Sequence, residues 1–232
     1  MILLPPSEGK TAPEGGAPVS LDELAFPELT KTRSRLLDVL ARLTLPRALK
    51  YLDVGPGLAD EAARNLTLRS APAAPARSVY TGVLYEHLGL ESLPDDGRVL
   101  IASALWGFVR PSDRIPAYRL SMGATLPRIP SLPALWREPL RRVVPDAGLI
   151  VDLRSGAYAT AWRPRAATVV GVRAFADGKV VSHNVKAVRG DVARVLLTAG
   201  GGEPESPEDV LALLRSAGYD AALNGRSLDV FT

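Results

Sequence analysis

The chain opens on an unbroken apolar run, Met1–Leu4, that stops at Pro5-Pro6. Four residues suit a short buried strand that hands over to a loop. The loop Ser7-Glu8-Gly9-Lys10-Thr11 continues into a Pro/Gly-rich stretch to about Gly16, and Leu21–Leu29 has room for one helical turn. Leu36, Leu37, Val39, Leu40 and Leu43 recur at helical spacing, which predicts an amphipathic helix over 31–43. Pro46 opens a second short helix to about Leu52, and a third is expected over 59–66, with Val54-Gly55-Pro56-Gly57 as the turn between them. The stretch 71–76 is an Ala/Pro linker and should be extended.

Farther along, 79–90 carries a helical pattern and Val99–Ser103 a buried-strand pattern with Trp106-Gly107 just beyond it. The stretch 110–126 is rich in Pro, Gly and Arg, as an ordered loop with a short strand would be. A helix is expected over 134–144, and strands at 149–153 and 168–175. Asp177-Gly178 predicts a turn that makes a hairpin with 180–185. A helix over 191–199 would have Asp191 as its cap. The clearest boundary is Ser206-Pro207 with Asp209 three residues after the serine, close to a capping box, on a helix that Gly218 ends. Strands and helices alternate irregularly and no repeat is visible, so the pattern predicts one mixed α/β (α+β) domain spanning 1–232.

Composition removes several chemistries. There are no cysteines, which excludes disulfides, iron–sulfur clusters and thiol redox sensing within the chain. Only His87 and His183 are histidines, so a metal site would lean on carboxylates, and no metal or other cofactor is expected. The net charge is +3, too small to prove nucleic-acid binding; what matters is whether basic residues cluster. The opening apolar run is a strand rather than a leader, and no apolar run nears the ~20 residues a bilayer requires. The expected setting is therefore cytoplasmic, with no membrane partner and a monomer as the default.

Five local patterns carry candidate chemistry. Gly55 and Gly57 sit in the turn between two short helices, where backbone amides at a helix start can donate to phosphate oxygens; this resembles a helix-hairpin-helix element. Lys50, Arg64 and Arg69 favour that role, and Asp60 and Glu61 oppose it. Gly9-Lys10-Thr11 imitates the end of a P-loop, but Leu4 stands where the first glycine is required and no helix is expected to follow, so an ATPase is rejected. Arg110, Tyr118 and Arg119 lie in loops after a buried strand and suit phosphate or carboxylate recognition, unless they pair with acids such as Asp113 or Asp152. Arg154, Ser155 and Tyr158 follow the strand at 149–153. Lys186 and Arg189 are three apart near a helix start, where they can share a face. Lys10, Tyr158 and Lys186 are the candidates for acid–base chemistry. Trp106, Trp136 and Trp162 are expected in the core or at its rim.

Taken in order, several of these pieces resemble the YaaA family of peroxide stress proteins. They are Ile2–Thr11, Val79-Tyr80-Thr81-Gly82, Leu105-Trp106-Gly107 through Arg110-Pro111, Tyr118–Gly123, Val151–Ser155 with Tyr158, Lys186 through Gly190, and Ala217-Gly218-Tyr219. The opening loop departs from the family's simpler form by adding Glu8 and Gly9, and little chain follows Tyr219. The resemblance implies the family's own fold, a central mixed sheet with surrounding helices and a helix-hairpin-helix-like element at about 46–66. It implies a basic cleft that binds duplex or distorted DNA without sequence preference, and protection of that DNA from iron-driven damage during peroxide stress. The DNA- or anion-binding residues would be Ser7, Lys10, Gly55, Gly57, Tyr80, Thr81, Arg110, Tyr118, Arg119, Arg154, Ser155, Lys186 and Arg189. An enzyme acting on a nucleotide or nucleic acid in the same cleft is the competing reading, and a small metal-binding protein is the weakest.

Overall fold

The computed structural model describes residues 1–176, 179–180, 185–200 and 202–231. The turn expected at Asp177-Gly178 and the candidate His183 lie outside them. In chain order the first half forms β1 (Ile2–Leu4), α1 (Thr30–Ala41), α2 (Leu45–Leu52), α3 (Ala59–Arg64), β2 (Ala74–Pro75), α4 (Ala76–Val79), α5 (Val83–Leu88), β3 (Val99–Ser103), β4 (Gly107–Val109) and β5 (Arg114–Ile115). The second half forms α6 (Leu132–Val143), β6 (Leu149–Asp152), α7 (Gly156–Ala159), β7 (Thr168–Ala176), β8 (Lys179–Val180), α8 (Val185–Thr198), α9 (Pro207–Ser216), β9 (Asp220–Asn224) and β10 (Ser227–Phe231).

The main sheet has the order β4-β3-β1-β6-β7-β10-β9, with β8 paired to the end of β7. Its centre, β3-β1-β6-β7-β10, is parallel, and β4 and β9 close the two sides antiparallel. The mixed α/β expectation is therefore met. The parallel strands β1, β3 and β6 are buried almost throughout, which is why they read as apolar runs rather than alternating ones. β1 lies between β3 and β6, so successive connections leave it in opposite directions. Ligands of open parallel sheets bind at such a switch point, beyond the carboxyl ends of the strands. Here those ends are Leu4, Ser103 and Asp152.

Three expectations change. The helix expected over 79–90 is broken into α4 and α5, because Tyr80 is extended and Gly82 sits at φ +99°, a conformation that disfavours side chains. The break turns the Tyr80-Thr81 backbone toward the β1 loop, where Lys10 bridges to Tyr80. The helix expected from Asp191 begins six residues earlier, at Val185, so Asp191 is an interior residue and not a cap; its carboxylate instead meets His87 Nδ1 at 2.9 Å. The hairpin β9–β10 was not anticipated, although Asn224-Gly225 signals it and Gly225 is at φ +59°. The capping box at Ser206 is present as expected, with Asp209 N donating to Ser206 Oγ at 3.2 Å and Ser206 N donating to Asp209 Oδ2 at 2.9 Å.

The turn between α2 and α3 differs in detail from its sequence reading. Its left-handed residue is Asp53 (φ +55°), and neither Gly55 nor Gly57 has positive φ. A Cβ built on either glycine meets nothing within 4 Å. Gly55→Ala and Gly57→Ala are therefore expected to shift unfolding free energy by no more than about 0.5 kcal/mol, read from urea denaturation; a larger loss would show a close approach absent from this fold.

Candidate functional site

At the switch point lies a cavity of about 540 Å³. Three loops after strands build it. The β1 loop brings Pro5 to Lys10, the segment 119–123 brings Arg119 and Ser121, and the start of α7 brings Ser155 and Tyr158. The α4–α5 break contributes Thr81 and Gly82, and the first turns of α8 contribute Lys186 and Arg189. Residues up to about 180 positions apart thus share one wall, because β1 is flanked by β3 and β6.

The floor is a buried hydroxyl chain. Tyr80 and Tyr118 hydroxyls are 2.9 Å apart, and Tyr118 OH is 2.7 Å from Ser103 Oγ, which also accepts from the N–H groups of Leu105 and Trp106. Tyr85 stacks on Tyr80 with ring centroids 5.6 Å apart and donates its hydroxyl to the Pro5 carbonyl at 2.7 Å. Burial holds the phenols of Tyr80, Tyr85 and Tyr118 well above the ordinary tyrosine range, so they stay neutral and serve as donors and as ring surface.

Lys10 lies on that floor. Its Nζ is 4.4 Å from the centroid of Tyr118 and 5.5 Å from that of Tyr80, and it donates to the carbonyls of Ser7 at 2.6 Å and Glu8 at 3.4 Å. Removal from water, and next the Arg119 guanidinium, lower its ammonium to about 7 despite the opposing pull of Glu61 and Glu8. Ser7 braces the loop: its Oγ donates to Gly9 O at 2.5 Å and accepts from Thr81 N at 3.1 Å.

Arg119 is held on both sides. Its backbone N–H donates to Asn65 Oδ1 at 2.9 Å, and Asn65 Nδ2 donates to the Arg119 carbonyl at 2.6 Å. Its guanidinium donates to Glu61 Oε2 at 3.2 Å and lies 3.7 Å from the exposed Glu8 carboxylate. So α3 positions Arg119 through Glu61, the acid that counted against a phosphate role, and the buried Asn65 just after α3 does so too. Burial pushes the Tyr158 phenol up to about 12. Arg189 donates weakly to the Val172 carbonyl at 3.5 Å, while its buried Nε has no hydrogen-bond partner among the described residues. Lys186 is exposed at the rim.

Of the candidate residues, Ser7, Lys10, Thr81, Arg119, Ser155, Tyr158, Lys186 and Arg189 line this cavity, and Tyr80 and Tyr118 underlie Lys10. Four do not line it. Gly55 and Gly57 are in the α2–α3 turn, and Arg110 is an exposed residue whose backbone N–H donates to Asp113. Arg154 is buried in a two-point pair with Asp152 (2.8 and 2.7 Å) and packs against Phe108 and Trp162. The acid pairing weighed for Arg110 and Arg119 takes Arg119 in part, through Glu61 and Glu8 rather than Asp113 or Asp152, and Asp152 pairs with Arg154 instead. Sequence reading missed Ser103, Asn65 and Tyr85, each of which has a partner remote in the chain: Tyr118, Arg119 and Pro5. Trp106, Trp136 and Trp162 are all core residues.

A second recess of about 490 Å³ is lined by Arg137, Arg141, Arg163 and Arg165 with Trp162 and Asp146. Asp146 is occupied by the backbone N–H groups of Arg165, Ala166 and Ala167, and Arg141 by Glu138. Tyr158 in α7 lines the first hollow, and Thr160, just after α7, lines the second. No helix among the described residues is long and apolar enough to cross a membrane.

Fold and site together define an α/β protein whose pocket forms at the carboxyl ends of parallel strands, with a lysine over paired tyrosines at its floor. The family model described as peroxide stress protein YaaA matches residues 1–223, and the chain belongs to that family. It is 44% identical to a UPF0246 protein of Streptomyces coelicolor, over 99% of this chain and 97% of that one. A UPF0246 protein of Corynebacterium efficiens is 41% identical, covering 97% and 95%, and an uncharacterized protein of Campylobacter jejuni is 29% identical, covering 82% and 81%.

Proposed function

We propose that this peroxide stress family member binds DNA without sequence preference and shields it from iron-driven oxidation. The observation that carries the reading is the meeting of Lys10, Arg119, Lys186 and Arg189 in one hollow that also presents the hydroxyls of Ser7, Thr81, Ser121 and Tyr158. Cations and hydroxyl donors in that mixture suit phosphate oxygens and carry no sequence information. A hollow of about 540 Å³ is too small for a duplex and fits one nucleotide drawn out of it, which favours distorted over regular DNA. The arginine recess beyond α7 supplies cations for neighbouring phosphates. The helix-hairpin-helix-like segment enters chiefly by holding Arg119 at the hollow, through Glu61 and Asn65, with the Gly55–Gly57 amides as an outer contact.

Protection follows from the same electrostatics. Ferrous ions condense on DNA as counterions, and each phosphate that a lysine or arginine neutralises releases them. Radical formation then moves away from the sugar. In this reading the protein uses no cofactor of its own.

Neutralising about four phosphates gives a log–log salt slope near −3.6, a loss on the order of 100-fold in affinity between ~50 and ~200 mM salt. Fluorescence anisotropy with bubble and intact duplexes measures it. Lys186→Ala is expected to flatten the slope by about 1, and a flat affinity for both DNAs across that range contradicts the reading. A second reading, an enzyme acting on a nucleotide in the same hollow, is favoured by one observation: the Lys10 ammonium is brought to about 7, where an amine can work as base or nucleophile.

A further inference from the structure

We propose that Lys10 is a Schiff-base lysine whose amine condenses with the aldehyde of an open-chain phosphosugar held in the switch-point cavity. The inference rests on the reading that this hollow receives phosphate-bearing ligands, and it adds the reactive group they present.

The geometry of the amine is the first support. A neutral lysine amine has two N–H bonds and one lone pair. The carbonyls of Ser7 and Glu8 both accept from Nζ, which accounts for the two N–H bonds and leaves the lone pair uncommitted. The ring of Tyr118, 4.4 Å away, walls one side of the nitrogen without offering it an acid. Desolvation and the neighbouring Arg119 make the uncharged form accessible near neutral pH, where an exposed lysine would be almost entirely protonated.

The second support is the company Lys10 keeps. Lys186 and Arg189 line the same cavity from α8, and the buried Arg189 Nε has no partner among the described residues. The Arg189 guanidinium, which gives only one long bond to the Val172 carbonyl, and the exposed Lys186 ammonium suit a phosphate oxygen. A phosphate held there places the rest of a sugar inside the lining that contains Lys10. The hydroxyls of Thr81 and Ser121 are available to the sugar's own hydroxyls.

The step balances as follows. The Nζ lone pair attacks the aldehyde carbon, and the carbonyl oxygen becomes a hydroxyl as the nitrogen gives up one proton. That hydroxyl leaves as water after taking a second proton. Tyr158, a protonated phenol in the same lining, is the group placed to deliver it and to be reprotonated from solvent. The product is an iminium joining Nζ to the sugar carbon, and the net change is uptake of one proton and loss of one water. The aldehyde has two natural sources, an abasic site in DNA and a free sugar phosphate, and both present the same carbonyl and phosphate.

The test is reductive trapping. The protein is incubated with a duplex carrying one abasic site or with deoxyribose 5-phosphate, reduced with sodium borohydride, and read by intact mass and peptide mapping. The expected result is an irreversible adduct on Lys10, absent from Lys10→Arg and retained in Lys186→Arg. Its yield should rise from pH ~6 to ~8, because the amine sheds its proton near 7 rather than near ~10. Trapping of the DNA alone or of the sugar phosphate alone supports the chemistry and assigns the source. No adduct with either, a mapped site other than Lys10, or an undiminished adduct in Lys10→Arg overturns it. If Lys10→Arg does not fold, peptide mapping of the unaltered protein decides by itself. Binding of the abasic duplex without borohydride is measured in parallel: binding with no adduct sinks the Schiff base and leaves DNA recognition standing, and trapping of the sugar phosphate with no DNA binding does the reverse.

Discussion

Replacing Arg33 with alanine should lower the unfolding free energy by about 3–5 kcal/mol, among the largest effects expected of a single substitution in this chain. Arg33 is fully buried on α1, on the face it shares with Leu36, Leu37 and Leu40. Its guanidinium donates to four carbonyls, those of Trp106 at 3.0 Å, Phe108 at 3.1 Å, Ala25 at 2.6 Å and Phe26 at 3.2 Å. It therefore clamps the loop before α1 to the end of the β3–β4 connection and to β4 itself. Burial brings its ionisation down to about 10, with Asp113 and Glu28 resisting, so it remains charged at neutral pH. Truncation strands four acceptors and opens a cavity at once. Urea denaturation gives the number, with the midpoint falling and m unchanged. Arg33→Lys should recover only part of the loss, since one ammonium cannot reach the four acceptors of a planar fork. A loss below about 1 kcal/mol for the alanine variant would mean that water replaces the clamp.

The second large effect is at Gly190, and its sign runs against helix propensity. In the interior of a helix, Gly→Ala ordinarily stabilises by about 1 kcal/mol. In α8, a Cβ at residue 190 would lie 2.4 Å from the Leu84 carbonyl oxygen and 2.7 Å from His87 Cβ. Leu84 and His87 belong to α5, so the two helices touch backbone to backbone here. They are also joined by His87 to Asp191 at 2.9 Å and by Arg194, which donates to the Leu88 carbonyl at 3.0 Å. Gly190→Ala is expected to destabilise by about 2–3 kcal/mol, as overpacking does when backbone cannot yield. Removing the His87 side chain should not rescue it, because the closer atom is the Leu84 carbonyl. The same wedge pushes Lys186 and Arg189 outward from Thr81 and Gly82, so ligand affinity should fall with stability. Thermal melting of Gly190→Ala beside His87→Ala/Gly190→Ala checks the argument; an alanine variant as stable as the parent would disprove the close approach.

Both positions show where sequence reading stops. Arg33 lies on the same helical face as three leucines and was not singled out from the sequence; only the carbonyls of residues seven to 75 positions away account for its burial. Gly190 was read only as the end of the segment Lys186–Gly190, just before the helix expected from Asp191, with no sign of a close helix contact. Arg154 was proposed as a free cation, and its two-residue neighbour Asp152 takes it; Arg119 was proposed likewise, and shares itself with Glu61, 58 positions away. In the opposite direction, the sequence placed Lys10 just past a buried strand and Tyr158 just past another, and both reach the cavity.

What the chain determined by itself is local. The strands β1, β3, β6 and β7, the helices α1, α2, α6 and α9, and the capping box at Ser206 follow from periodicity and from side chains that satisfy backbone groups within four residues. The absence of cysteine chemistry also follows from the chain alone. Tertiary structure decided the order of the sheet, the break at Tyr80–Gly82, the early start of α8 and the contents of the cavity. The physical reason is that strand order and helix breaks are settled by burial and hydrogen bonds between distant residues. Lys10 is an ordinary loop lysine until β1 is laid between β3 and β6; only then does it lie over Tyr118, beside Arg119, away from water.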